Sequence, residues 1–109
     1  MATWEQLAKY HGHMNAEHDL FVRIPDVDAA YKAHGKTTDI LKGRDLLYTY
    51  NKFPWHLAPG IIHKIIWSKR PLEVREIESL VPADAIWFKN APTHQSRPDI
   101  WHCHVFVRF

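Results

Sequence analysis

Only one cysteine, Cys103, occurs in the 109 residues, so no disulfide can form within the chain. Glycine is scarce, at four, and no stretch is of low complexity, which argues for order nearly throughout. Long apolar runs are missing as well. The best one, Ile61 to Trp67, is broken by His63 and Lys64 and falls far short of the roughly 20 residues a membrane-spanning helix needs. The first residues lack the basic and apolar regions of a secretory signal, and no Asn-x-Ser/Thr sequon is present. Together these absences predict an intracellular protein, in cytoplasm or nucleus, with no membrane partner. There is also no P-loop, G-x-G-x-x-G, C-x-x-C or G-x-S-x-G, so no local motif places a nucleotide, redox or serine-hydrolase site.

What is present is a chain of ordinary globular composition, 46% hydrophobic and 24% charged, of a length that suits one domain over residues 1–109. Its apolar content is unusually aromatic, with five Trp, four Tyr and five Phe. Residues 1–50 hold 6 basic and 7 acidic side chains and residues 51–109 hold 8 and 5, within a net charge of +2. That mild excess permits an anionic partner in the second half without requiring one. Lys64, Lys69, Arg70, Arg75, Arg97 and Arg108 could form a nucleic-acid patch, but three glutamates dilute the same region. Nine histidines are the real oddity.

Along the chain, Thr3-Trp4-Glu5-Gln6 has capping-box spacing and predicts a helix over 4–11, with a second turn or helix from Asn15 to about Val22. Pro25 breaks that segment. Asp26 is a good N-cap for a helix whose face is Val27, Ala30 and Tyr31 and whose end is Gly35. A further helix is expected from Thr38 through Leu47, weakened by Gly43. Residues 51–60 hold two prolines and a glycine and read as an irregular connection packed on the core. Ile61 to Trp67, rich in β-branched residues, reads as a strand. Pro71 can start a helix carrying Val74, Ile77 and Leu80 and ended by Pro82. Ala85 to Lys89 reads as a strand, 90–99 as a polar loop, and Ile100 to Phe109 as the strongest strand. The expected class is α+β: N-terminal helices on one side of a small, mostly antiparallel sheet formed by the C-terminal half.

Alternation divides the last strand into an apolar face (Trp101, Cys103, Val105, Val107, Phe109) and a second face with Ile100, His102, His104, Phe106 and Arg108. Two imidazoles at i and i+2 on a strand lie roughly 7 Å apart, so His102 and His104 can reach one ligand, and Arg108 shares their face. His63 joins them if the two strands pair. Such a group suits acid–base or nucleophilic catalysis by His102 or His104, a divalent metal held by His63, His102 and His104, or a binding groove without catalysis. The plain alternative is a half-buried sheet surface with satisfied imidazoles. The loop Asn90–Asp99, dense in donors and acceptors, leads straight into the histidine strand. Cys103, on the apolar face, reads as inert packing.

Phe53-Pro54-Trp55, the run Ile61-Ile62-His63-Lys64-Ile65-Ile66-Trp67, then Trp87-Phe88-Lys89-Asn90, Ser96 and His102-Cys103-His104-Val105 resemble the fungal N-acetylglucosamine-induced protein family, a family of unknown function. Thr3-Trp4-Glu5, Arg23 and Tyr31 are compatible with it. The resemblance implies that His63, Asn90, Ser96, His102 and His104 form one recurring constellation, and it supplies no reaction. A fainter likeness is to the histidine-triad hydrolases, whose strand reads His-x-His-x-His. Here Phe106 takes the third place, and their glycine-rich phosphate loop is missing.

Three functions follow as expectations. The first is a non-enzymatic regulatory or interaction protein with a protein partner or self-association through aromatic surface, its histidine face being the binding site and including His63, Asn90, Ser96, His102, His104 and Arg108. The second is a His-dependent nucleotide or phosphoester hydrolase. The third is a divalent-metal protein. The sequence names no cofactor and leaves open whether the protein is an enzyme.

Overall fold

Thr3 and Gln6 cap the first helix reciprocally: Thr3 N–H donates to Gln6 Oε1 at 2.9 Å and Gln6 N–H to Thr3 Oγ1 at 3.2 Å. Two orphan donors are thereby satisfied in the first turn. This helix, α1 (Trp4–Ala8), is shorter than expected, because the chain turns off at Gly12, where φ is 82°. The structure is a computed structural model that describes residues 1–18, 21–34, 39–95 and 97–109.

The helix expected from Asn15 to Val22 does not form: its described residues, 15–18 and 21–22, are non-helical. Their backbone has another outlet. Gly12 N–H donates to Trp87 O and Ala16 N–H to Lys89 O, both at 2.8 Å, while Lys89 N–H donates to His13 O and Ala91 N–H to Ala16 O, both at 2.9 Å. Residues 12–16 thus run beside the strand β3 (Ile86–Phe88) and close its outer edge. Helix α2 (Pro25–His34) begins one residue before the expected cap. Pro25 takes its first position, where a missing N–H costs nothing, and Asp26 falls in the first turn. The expected end at Gly35 lies outside the described residues, as does the start at Thr38 of the next expected helix.

That next helix is replaced by a turn and a strand. Lys42 and Gly43 are both left-handed, at φ 51° and 83°, and two such residues in a row end any right-handed helix. Asp39 Oδ1 accepts from Lys42 N–H at 3.0 Å, and strand β1 (Leu46–Tyr50) follows. Strand β2 (Ile61–Ser68), helix α3 (Val74–Leu80) and strand β4 (Trp101–Arg108) fall where the sequence predicts them, although α3 starts beyond Pro71. The irregular 51–60 connection packs inward through Trp55, 7% exposed.

The sheet is fully antiparallel in the order β1-β2-β4-β3. The α+β class therefore holds, with two refinements: β1 comes from the first half of the chain, and helices cover both faces. On one face Leu7 of α1, Phe21 and Trp55 pack with Phe88 and Phe106. On the other, Ile77 of α3 packs with Ile66, Trp87, Cys103 and Val105. Both faces of β4 are consequently buried, where one was expected to be open. Phe109, placed by alternation on the buried face, is 89% exposed, because it lies past the end of the strand. The other nine Trp and Phe residues are buried or half-buried, while Tyr50 is 66% exposed.

Two phenylalanines, one inside β4 and one just past its end, give a direct test. Phe106→Ala removes a fully buried ring and should cost about 3–5 kcal/mol in urea denaturation, whereas Phe109→Ala should change stability by less than about 0.5 kcal/mol.

Candidate functional site

Pairing of β2 with β4 sets His63 opposite Phe106 and Ile65 opposite His104. Paired residues of an antiparallel ladder point to the same side, so His63, His102 and His104 share a face. All three are buried, at 3%, 5% and 5% exposure. His63 Nε2 and His104 Nδ1 are 2.8 Å apart, and the condition for bringing His63 into the group is met.

The direction of this contact follows from one fixed donor. The backbone N–H of Trp55 donates to His63 Nδ1 at 3.1 Å. Burial first, and the charge of Arg23 second, hold the His63 pKa down to about 3, so its ring is neutral near pH 7. A neutral imidazole carries one N–H. With Nδ1 accepting, His63 Nε2–H donates to His104 Nδ1. His104, pushed far below the ordinary histidine value by burial and then by His63 and His102, is neutral too and carries its hydrogen on Nε2. Asn90 comes next: Nδ2 lies 3.4 Å from His104 Nε2 and Oδ1 lies 2.9 Å from His18 Nε2. With Nε2–H as donor, the amide oxygen belongs beside His104 and the amide nitrogen beside His18, an exchange made by a half-turn of the side chain. Asn51 Oδ1 is occupied by Phe53 N–H at 2.9 Å, so its Nδ2, 3.3 Å from His63 Nε2, is a neighbour rather than an acceptor.

His102 is arranged differently. Its Nδ1 lies 2.9 Å from Ile100 O, and a carbonyl oxygen only accepts, so Nδ1 bears the hydrogen. Nε2 is left as a lone pair with no hydrogen-bond partner among the described residues. Burial, followed by the charges of Lys89 and Arg97, lowers its pKa despite the carbonyl contact. The Trp67 ring covers it at 4.7 Å.

These groups open onto a cavity of about 360 Å³. His102, His104 and Asn90 line it with Ile65 and Trp67 of β2, as do Trp55, Asn51, Phe21 and His18 and, further, Val22, Arg23, Tyr31, His94 and Gln95. His94 stacks on His18 at 5.6 Å, and Gln95 Nε2 donates to Asn90 O at 2.7 Å. His63 does not line this cavity; it backs His104. Arg108 is not brought to it either, since its guanidinium lies over the Trp4 ring at 4.2 Å, away from the histidines along the strand. Ser96 lies outside the described residues. His18 and Asn51 escaped the sequence reading, because only the folded chain brings residues 18 and 51 to the 102–104 strand.

The metal reading does not fit this arrangement. His63 and His104 bond to each other, and among the described residues no group of three or more His, Cys, Asp or Glu side chains could hold a metal ion. The basic patch is similarly spent: Arg70 pairs with Glu76, Arg75 with Glu73, Lys69 with Asp45 and Arg97 with Asp99, while Lys64 sits over Tyr48. Cys103 is fully buried and its thiol pKa is raised by desolvation, which keeps it an inert packing group as expected.

No family model matches the sequence. Among curated proteins, N-acetylglucosamine-induced protein 1 of Candida albicans is 31% identical over 59% of this chain and 35% of its own length. The chain is thus similar in sequence to a fungal N-acetylglucosamine-induced protein. An uncharacterised protein of Saccharomyces cerevisiae is 29% identical over 54% of the chain and 41% of its own length. The chain thus spans well under half the length of either curated relative, and neither name states a reaction. A crystal structure of HTC1 superposes with a TM-score of 0.64 at 21% identity, covering 100% of this chain and 86% of that one, which shows a shared fold. No helix among the described residues is long and apolar enough to cross a membrane.

The buried imidazoles make stability depend on pH. Unfolded, each takes up a proton below about pH 6.5, whereas His63 in the fold resists until about pH 3. The unfolded state therefore binds more protons between these values, and stability, full above about pH 6.5, is lost progressively as pH falls towards 3. Each such histidine adds a slope of at most about 1.4 kcal/mol per pH unit. Urea denaturation from pH 7.5 to 4 should show that slope, and it should flatten in His63→Gln whatever that variant's absolute stability.

Proposed function

We propose that this chain is a ligand-binding domain with a regulatory role, and that a small polar molecule occupies the cavity against His102, His104 and Asn90. The observation that carries this reading is the pairing of enclosure with hydrogen-bonding capacity. Sites for small molecules are concave, mostly apolar and marked by a few convergent polar groups. Here Trp55, Trp67, Phe21 and Ile65 supply the apolar wall, and the histidines and amides supply the polar groups. The relay from Trp55 N–H through His63 holds the His104 ring and its tautomer before any ligand arrives, which reduces the ordering cost of binding. Self-association through aromatic surface has no such support, since Phe109 alone among the Trp and Phe residues is exposed.

Trp67 borders both the cavity and His102 and serves as a reporter. A panel of nucleosides, sugars and their phosphates should give a saturable change in tryptophan fluorescence that is reduced in Trp67→Phe, Trp55 of the same cavity carrying the remainder, and His102→Ala should weaken the binding about tenfold. A panel that produces no saturable change would sink the reading.

A second reading, His-dependent phosphoester hydrolysis, is favoured by one feature. A histidine whose Nδ1–H is tied to a backbone carbonyl presents Nε2 as a base or nucleophile, and His102 does so at the cavity wall. Turnover of a phosphoester that vanishes in His102→Ala but survives in His94→Ala would establish it. Binding of the same ester without turnover would leave the binding domain.

A further inference from the structure

The chemical class of the ligand follows from what the cavity wall contains and from what it lacks. Among the described residues none of its lining side chains is Asp or Glu, and Arg23 lines it together with His18, His94, His102 and His104. Arg23 is held rigidly. Its Nε donates to Phe53 O at 2.8 Å, and its guanidinium carbon lies 4.0 Å over the Tyr31 ring. Its charge is poorly compensated. Among the described residues its one carboxylate partner is Asp28, at 3.9 Å, and Asp28 is bound more closely by Lys32, at 2.9 Å. Two cations thus share one carboxylate.

The Arg23 side chain is also only 16% exposed. A partly desolvated cation is screened less than a surface one, so its attraction for an opposite charge is stronger. An anion entering from solvent would meet this fixed charge, which Asp28 offsets only in part. The cavity is also lined by further N–H donors, those of the Asn51 and Gln95 amides and the His94 ring. Several donors lining one cavity suit a tetrahedral oxyanion with several acceptor oxygens, and the planar guanidinium fork suits two of them at once.

We propose that the cavity selects a phosphate monoester, with Arg23 as its charge-bearing contact and the rest of the ligand lying against Trp67 and the His102/His104 wall. This rests on the binding reading of the same cavity. Burial chiefly, and the Arg23 charge among the lesser causes, lower the pKa of His104 in the cavity wall.

Calorimetric titration with matched pairs tests the assignment: AMP against adenosine, glucose 6-phosphate against glucose, and inorganic phosphate alone. The phosphorylated member of at least one pair should bind about tenfold or more tightly than its neutral partner, and that gap should shrink as ionic strength rises. Which pair shows the gap tells a nucleotide from a sugar phosphate. Arg23→Gln should close the gap by weakening the phosphorylated probe far more than its neutral partner. Arg23→Lys, which keeps the charge and loses the fork, should retain part of it. Neutral partners binding as tightly as phosphorylated ones would overturn the phosphate assignment and leave the binding reading standing. So would a gap preserved in a folded Arg23→Gln variant. Failure of every probe to bind would remove both.

Discussion

A single hydrogen bond, 2.8 Å between two buried imidazoles on neighbouring central strands, constrains the rest of the site. It exists because β2 pairs with β4 in one register, His63 facing Phe106 and Ile65 facing His104. A slip of one strand by one residue would turn its ring to the opposite side of the sheet and part it from the other. The bond also fixes two tautomers. Neither ring can take a second proton without breaking it or losing the Trp55 donor, so two groups that ordinarily titrate near neutrality act here as a rigid neutral strut. Such a strut is costly to bury unless every nitrogen is matched. The matching is done by one backbone N–H at one end and one asparagine at the other.

The histidine strand was legible because it depends on local rules. Alternation placed His102 and His104 on one face, and the β-branched run at 61–67 placed His63 on the neighbouring strand. The capping box at Thr3 and Gln6 was equally local. The errors lie where the tertiary structure decided. The helix expected from Asn15 to Val22 gives way at its start to an open strand edge that takes the backbone groups of Ala16. The helix expected from Thr38 through Leu47 ends at two left-handed residues, beyond which β2 offers a ladder. For the site the limit was the same. His18, Arg23 and Asn51 sit in segments with no motif of their own, and only the packing of Phe21 and Trp55 under the sheet carries them to the cavity. Arg108 was misjudged for the converse reason: sharing a face along a strand says nothing about distance along it.

The cavity is therefore a composite of two kinds of support. His102 and His104 come from a central strand buried on both faces, the most rigid part of such a sheet. Tyr31 comes from α2, and Arg23, His94 and Gln95 come from outside the sheet and the α-helices. The sheet thus fixes the two histidines, while the remaining cavity residues are held by the packing around it.

The strip formed by residues 12–16 has a further bearing on how copies of this chain could associate. By satisfying the outer donors and acceptors of β3, it leaves the described sheet with a single unpaired side, that of β1. A sheet open on both sides can grow without limit, one molecule adding to the next. A sheet open on one side can join another copy of itself there, and having done so has nothing left to offer a third.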